Sequence, residues 1–118
     1  PEKLPRMYWV NWFRKDIDGD FMWPGFGENS RILKWVMERL DGTAEAEPNA
    51  IGLVPGLDSI DRDGLNLTDD DMAALLAVDE NAWQHEADLI EQHYTRAGER
   101  LPEELQNQLA DLRRRLST

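Results

Sequence analysis

Eight of the ten aromatic side chains in this chain of 118 residues stand within its first 40 positions: Tyr8, Trp9, Trp12, Phe13, Phe21, Trp23, Phe26 and Trp35. Aromatic rings bury more area per residue than other side chains, so the material for a dense core lies in the N-terminal third. Charge runs the other way. Residues 1–40 balance to +1 while residues 41–118 carry −12, for a total of −11. That sign argues against nucleic-acid backbones and anionic membranes as partners, because binding to phosphate polymers is supplied by Lys and Arg. No run of about 18 apolar residues offers a membrane span. The opening PEKLPR lacks the basic and apolar regions of a signal peptide. There is no cysteine, which removes disulfides, thiolate metal sites and a cysteine nucleophile. A cytoplasmic protein is expected. The length suits one domain, and the missing initiator Met makes the chain read as a piece of a longer one.

Local patterns predict an α+β chain that is mostly helical. Residues 7–13, MYWVNWF, are dense in aromatic and β-branched types and read as a strand; residues 20–23 are placed to pair with it across the Asp18-Gly19 turn. A short N-terminal hairpin is therefore expected. Such a strand also leaves an unpaired apolar edge, from which dimerisation is an expectation. A helix follows from Asn29 or Ser30 to Asp41, with Ile32, Trp35, Val36 and Leu40 as its apolar stripe and Gly42 as its left-handed exit. Residues 43–67 form a loop-rich connection containing one strand-like piece, IGLVP at 51–55. Thr68 before three aspartates marks a short helix over 69–77, since a hydroxyl cap and negative charge both favour a helix N-terminus. Asp79 caps a longer helix, on which Trp83, Ala87, Ile90, Tyr94 and Ala97 share a face before Gly98 closes it. Pro102 opens a last helix carrying Leu105, Leu109, Leu112 and Leu116 at the same spacing. About four helices are thus expected, the last two forming a helical hairpin. Three stretches result: 1–42 with the aromatics, 43–67 as connection, and 68–118 as an acidic helical tail.

Most candidate sites fail on spacing. Asp16, Asp18 and Asp20 resemble the start of a calcium loop, but the slots for its Gly and its bidentate Glu hold Phe21 and Gly27. His85 and His93 stand eight apart with no His or Glu three or four residues from either, so the usual metal pair is not formed. No G-x-x-x-x-G-K phosphate loop occurs. One constellation survives, in residues 12–29, WFRKDIDGDFMWPGFGEN. Phe13, Phe21 and Phe26 precede Asn29 at a helix start, separated by turn residues that let rings converge. Bases stack on aromatic faces at roughly 1–3 kcal/mol each, and identity is read by hydrogen bonds at the base edge. The Asn29 amide and the backbone N–H groups over Phe26, Gly27 and Glu28 offer such bonds. The same rings also suit plain core packing, which periodicity alone favours.

The run MYWVNWFRKDIDGDFMWPGFGENSRILKWVMERLDG, continuing through AIGLVPGLDSIDRDGLNL, resembles the C-terminal part of GTP-dependent phosphoenolpyruvate carboxykinases of the actinobacterial type. The string WFR, then F-x-W-P-G-F-G-E-N, is long and specific. The resemblance implies a segment of the family's α/β nucleotide-binding C-terminal domain. It also implies a lyase, a decarboxylase with kinase-like phosphoryl transfer, converting oxaloacetate and GTP to phosphoenolpyruvate, GDP and CO2 in gluconeogenesis. Positions matching Phe13, Phe21 and Phe26 enclose the guanine, with Trp12 adjacent and Asn29 at its edge; Gly27 and Glu28 complete the matched string. Partners implied are the guanine nucleotide and the remainder of the parent chain. The family's phosphate loop, its ligands for Mn2+ and Mg2+, and its catalytic residues map to no position here, so the segment alone is expected to be inactive. The rival reading is a non-catalytic acidic helical module presenting an aromatic patch to a partner.

Overall fold

The computed structural model describes residues 4–118. They form two compact units, one from residues 4–47 with Val54–Ala77 and the other from Pro48–Leu53 with Val78–Thr118.

In the first unit, helix α1 runs Asn29–Asp41 and ends as the sequence predicts, at Gly42 with φ 75°. The Thr43 N–H reaches back to the Glu38 carbonyl at 2.9 Å, satisfying one of the orphan acceptors of the last turn. A 3-10 turn over Phe26–Glu28 leads into it. Helix α2, Asp69–Leu76, opens with a complete capping box: Asp71 N–H donates to the Thr68 hydroxyl at 3.2 Å, and Thr68 N–H donates to the Asp71 carboxylate at 2.8 Å. The core of this unit is Trp23, Trp35, Ile60 and Met72, with Trp12, Ile32, Val36, Leu65 and Leu75 packed against it. Each fully buried side chain of this size stabilises the fold by about 1.5–3 kcal/mol.

The strand expected over 7–13 does not form, and the chain there runs without regular structure. Asn11 explains the break, since its side-chain oxygen accepts the Phe13 N–H at 3.0 Å and turns the backbone that a strand would keep extended. Hairpin pairing across Asp18-Gly19 survives as a single antiparallel bridge between Lys15 and Phe21. Met22 N–H donates to the Arg14 carbonyl and Asp16 N–H to that of Asp20, each at 2.9 Å. Without a strand at 7–13, the strand edge invoked for dimerisation is not there.

A small sheet lies further along: β1, Glu47–Asn49, pairs with β2, Gly52–Val54. In the second unit, the Asn49 side chain accepts the N–H groups of Ile51 and Gly52 at 3.0 and 3.1 Å, which builds the turn between the two strands. Helix α3, Glu80–Thr95, is capped by Asp79, which accepts the Ala82 N–H at 3.0 Å. Helix α4, Glu103–Leu116, follows Pro102 and packs against α3 as the expected helical hairpin. Ala87 and Leu116 are its buried members. Three arginines, Arg113 to Arg115, occupy the last turn of α4, where the helix dipole favours cations. The Arg115 guanidinium also donates to the Ala50 carbonyl at 2.8 Å. Among the described residues, no helix is long and apolar enough to cross a membrane.

Candidate functional site

Five of the seven residues singled out in the sequence line one concavity of about 270 Å³ in the first unit: Trp12, Phe13, Phe21, Phe26 and Asn29. Its size approaches the lower end of the range for small-ligand sites. Trp23, Pro24 and Gly25 complete the lining. The local chain path explains the gathering. The Lys15–Phe21 bridge brings Phe13 and Phe21 together although they are eight residues apart, with ring centroids 6.0 Å apart at 60°. Gly25 then takes φ 74° and Phe26 φ 49°. Two successive residues of positive φ turn the chain sharply, and the first of them must be glycine because a Cβ is disfavoured there. Phe26 is the one non-glycine residue of positive φ among the described residues. Strain of this kind costs on the order of 1–3 kcal/mol and clusters at functional sites. Its ring gains nothing in packing to offset that cost, being 96% exposed.

The pair geometry restricts how a flat ligand can sit. Stacking on both of its faces needs about 7–8 Å between the enclosing rings, twice the optimal carbon–carbon separation. Phe13 and Phe21, edge-to-face at 6.0 Å, are too close to hold a ring between them. Together they make one wall. Lys15 lies over the Phe21 ring, 5.1 Å from its centroid, and adds a cation at this wall.

Asn29 sits at the first position of α1. Its side-chain oxygen accepts the Trp23 indole N–H at 2.9 Å. Gly27 and Glu28 are not among the lining residues. The Glu28 N–H is already donated to the Gly25 carbonyl at 3.1 Å, so it is not the free donor that the sequence reading assigned to the helix entrance. The Glu28 carboxylate pairs with Arg31 at 2.6 Å, and the Gly27 carbonyl accepts the Ser30 hydroxyl at 2.7 Å. Sequence reasoning passed over Trp23 as a site residue, although it stands in the F-x-W-P-G-F string that marked its neighbours.

No ionisable side chain lines the concavity. Two carboxylates elsewhere in the unit are held below the usual range. The Asp63 backbone N–H holds the Asp61 carboxyl below the usual range, against the opposing effect of desolvation and with further help from Lys34 and Arg31. Asp71 is lowered by the backbone and side-chain hydrogen bonds from Thr68. Among the described residues, no three His, Asp or Glu side chains converge on a point where a metal ion would fit. The described residues therefore offer no ligand group for Mn2+ or Mg2+, whose ligands the resemblance maps to no position here.

The concavity thus stands beside a helix start, with aromatic walls and one amide at its rim. The family model of the phosphoenolpyruvate carboxykinase C-terminal P-loop domain matches residues 1–115, and the chain belongs to that family. It is 49% identical over 115 residues to phosphoenolpyruvate carboxykinase (GTP) of Renibacterium salmoninarum, a match covering 98% of this chain and 19% of the relative. Identity to the Paenarthrobacter aurescens protein of the same name is 46% over 116 residues. To that of Treponema pallidum it is 43% over 117 residues. Each of these two matches likewise covers 98% of this chain and 19% of the relative. The chain thus spans about a fifth of the length of the relatives it matches.

Proposed function

We propose that this chain supplies the guanine-binding element of a GTP-dependent phosphoenolpyruvate carboxykinase, in which oxaloacetate and GTP are converted to phosphoenolpyruvate, GDP and CO2 in gluconeogenesis. The observation that carries the proposal is the convergence of Phe13, Phe21, Phe26 and Asn29 on one base-sized concavity. In this reading the Phe13–Phe21 wall takes one face of the purine and Phe26, projecting into solvent, closes on the other. Asn29 meets the rim. Residues 1–42 hold this element, 43–67 connect, and 68–118 form the acidic helical tail. Cytoplasmic residence belongs to the same proposal and draws its support from the cysteine-free composition.

Phosphoryl transfer rests on metal and cationic groups that position the phosphates. No residue here is assigned to that task, so the chain alone should not decarboxylate oxaloacetate. It should still select a base, weakly. Two stacking contacts with one hydrogen bond amount to about 3–6 kcal/mol gross, whereas micromolar affinity requires about 8 kcal/mol. Binding in the millimolar range follows. The test is a nuclear magnetic resonance titration of the chain with GDP and ADP, following the indole N–H signals of its tryptophans. GDP should move Trp12 and Trp23 while Trp83 stays fixed; equal movement with ADP, or movement at Trp83 alone, would overturn the proposal.

A further inference from the structure

We infer that Trp23 is a positioning residue that sets base specificity by holding the Asn29 amide in a single orientation, an inference resting on the guanine-site reading above. The indole N–H can only donate. Its partner 2.9 Å away must therefore be the Asn29 carbonyl oxygen, and the amide cannot be turned the other way without facing donor to donor. Trp23 has no freedom to look elsewhere, since it is 6% exposed and belongs to the unit's core. Pro24 follows it with a fixed φ, and Asn29 is held by the first turn of α1. Both residues line the concavity.

With its oxygen turned to the indole, the Asn29 amide is held with its NH2 free to donate to a bound base. Among the described residues that NH2 makes no other hydrogen bond. A donor at this place complements a carbonyl on the six-membered ring, as in guanine or hypoxanthine, and opposes the amino group that adenine carries at the same position. Reversing the amide would invert the preference, but it would leave a buried indole N–H unpaired, which biases the orientation by about tenfold or more. Trp35 supplies the contrast. It is a second buried tryptophan of the same core, and its indole N–H has no partner among the described residues. Removing that N–H changes packing without releasing any amide.

The experiment compares GDP, IDP and ADP binding to the chain by the same titration, in the native sequence, in Trp23→Phe, in a variant with benzothienylalanine at position 23, and in Trp35→Phe. Benzothienylalanine keeps the bicyclic shape and replaces N–H by sulfur, so it deletes the hydrogen bond without opening a cavity. The expected result is a fall of about tenfold in the preference for GDP over ADP in both Trp23 variants, one hydrogen bond's worth. IDP should weaken in parallel with GDP, and ADP should not weaken. Trp35→Phe should keep the native preference. If the benzothienylalanine variant retains the native ratio, or loses all three nucleotides equally, the positioning role is wrong even where the native chain prefers GDP. If the native chain itself shows no preference, the guanine-site reading fails and this inference with it.

Discussion

The Arg14 guanidinium donates to the main-chain carbonyl of Leu75 at 2.9 Å, 61 residues away along the chain, and the same nitrogen reaches the Ala77 carbonyl at 3.1 Å. The carbonyls at a helix C-terminus have no partners within the helix and carry its negative dipole end, so a cation here satisfies both needs. It also ties the residue between Phe13 and Lys15 to α2, and so anchors one wall of the concavity.

Arg14→Ala should therefore lower stability by about 1.5–3 kcal/mol, the range for hydrogen bonds to a charged group. Arg14→Lys should recover part of it, because a point charge keeps one donor on the carbonyls but loses the planar fork. Urea denaturation measures both. In each variant the Phe13–Phe21 wall loses its tether, so the response to GDP should fall along with stability.

Phe26 predicts the opposite relationship. Its backbone pays a strain that glycine would not, and its ring is almost wholly exposed. Phe26→Gly should leave the denaturation midpoint unchanged or slightly higher. GDP affinity should nonetheless drop by a stacking contact, about 1–3 kcal/mol. A clear loss of stability in Phe26→Gly would show that the ring packs against the protein and is not kept for a ligand.

The capping box makes an acid-side prediction. Asp71 has its folded pKa below the ordinary value of 3.8, owing to the hydrogen bonds from Thr68. Its contribution is therefore complete above the unfolded value and is lost as pH falls from 3.8 through the folded value. Asp61, lowered chiefly by the Asp63 N–H, acts in the same direction. Asp71→Asn keeps an acceptor oxygen but cannot titrate, so the loss of stability as pH falls from 3.8 through the folded value should be less steep in that variant. Thr68→Ala removes the cap itself and should cost about 1 kcal/mol at neutral pH.

Two substitutions in the helical hairpin separate packing from surface charge. Ala87 is 0% exposed on α3, and Ala87→Leu should destabilise by about 1–3 kcal/mol through overpacking. Arg113 on α4 donates to Asp88 and Glu91 of α3 at 2.8 and 3.1 Å, which looks substantial as a contact pair. Both acids are largely exposed, however, and such pairs are worth at most about 1 kcal/mol. Arg113→Ala should shift the thermal midpoint little, and less still at high salt.

The helix limits were legible residue by residue, because capping and termination are local. Thr68, Asp79, Pro102 and Gly42 stand at the ends they signal. The strand at 7–13 was misread for the complementary reason: β-propensity describes fit to a neighbouring strand, and no described segment pairs there. Asn11 turns the chain instead.

Aromatic clustering and the WFR and F-x-W-P-G-F-G-E-N strings were enough to mark out the region of the concavity and the family. Which ring does what required the folded chain. Trp23 and Trp35 went to the interior while Phe13, Phe21 and Phe26 stayed at the surface, an allocation that depends on partners such as Ile60 and Met72 brought from some 25 to 50 positions away. The same holds for Asn29: residue type supplies an amide with a donor and an acceptor, and only the indole fixed beside it decides which way round that amide is held.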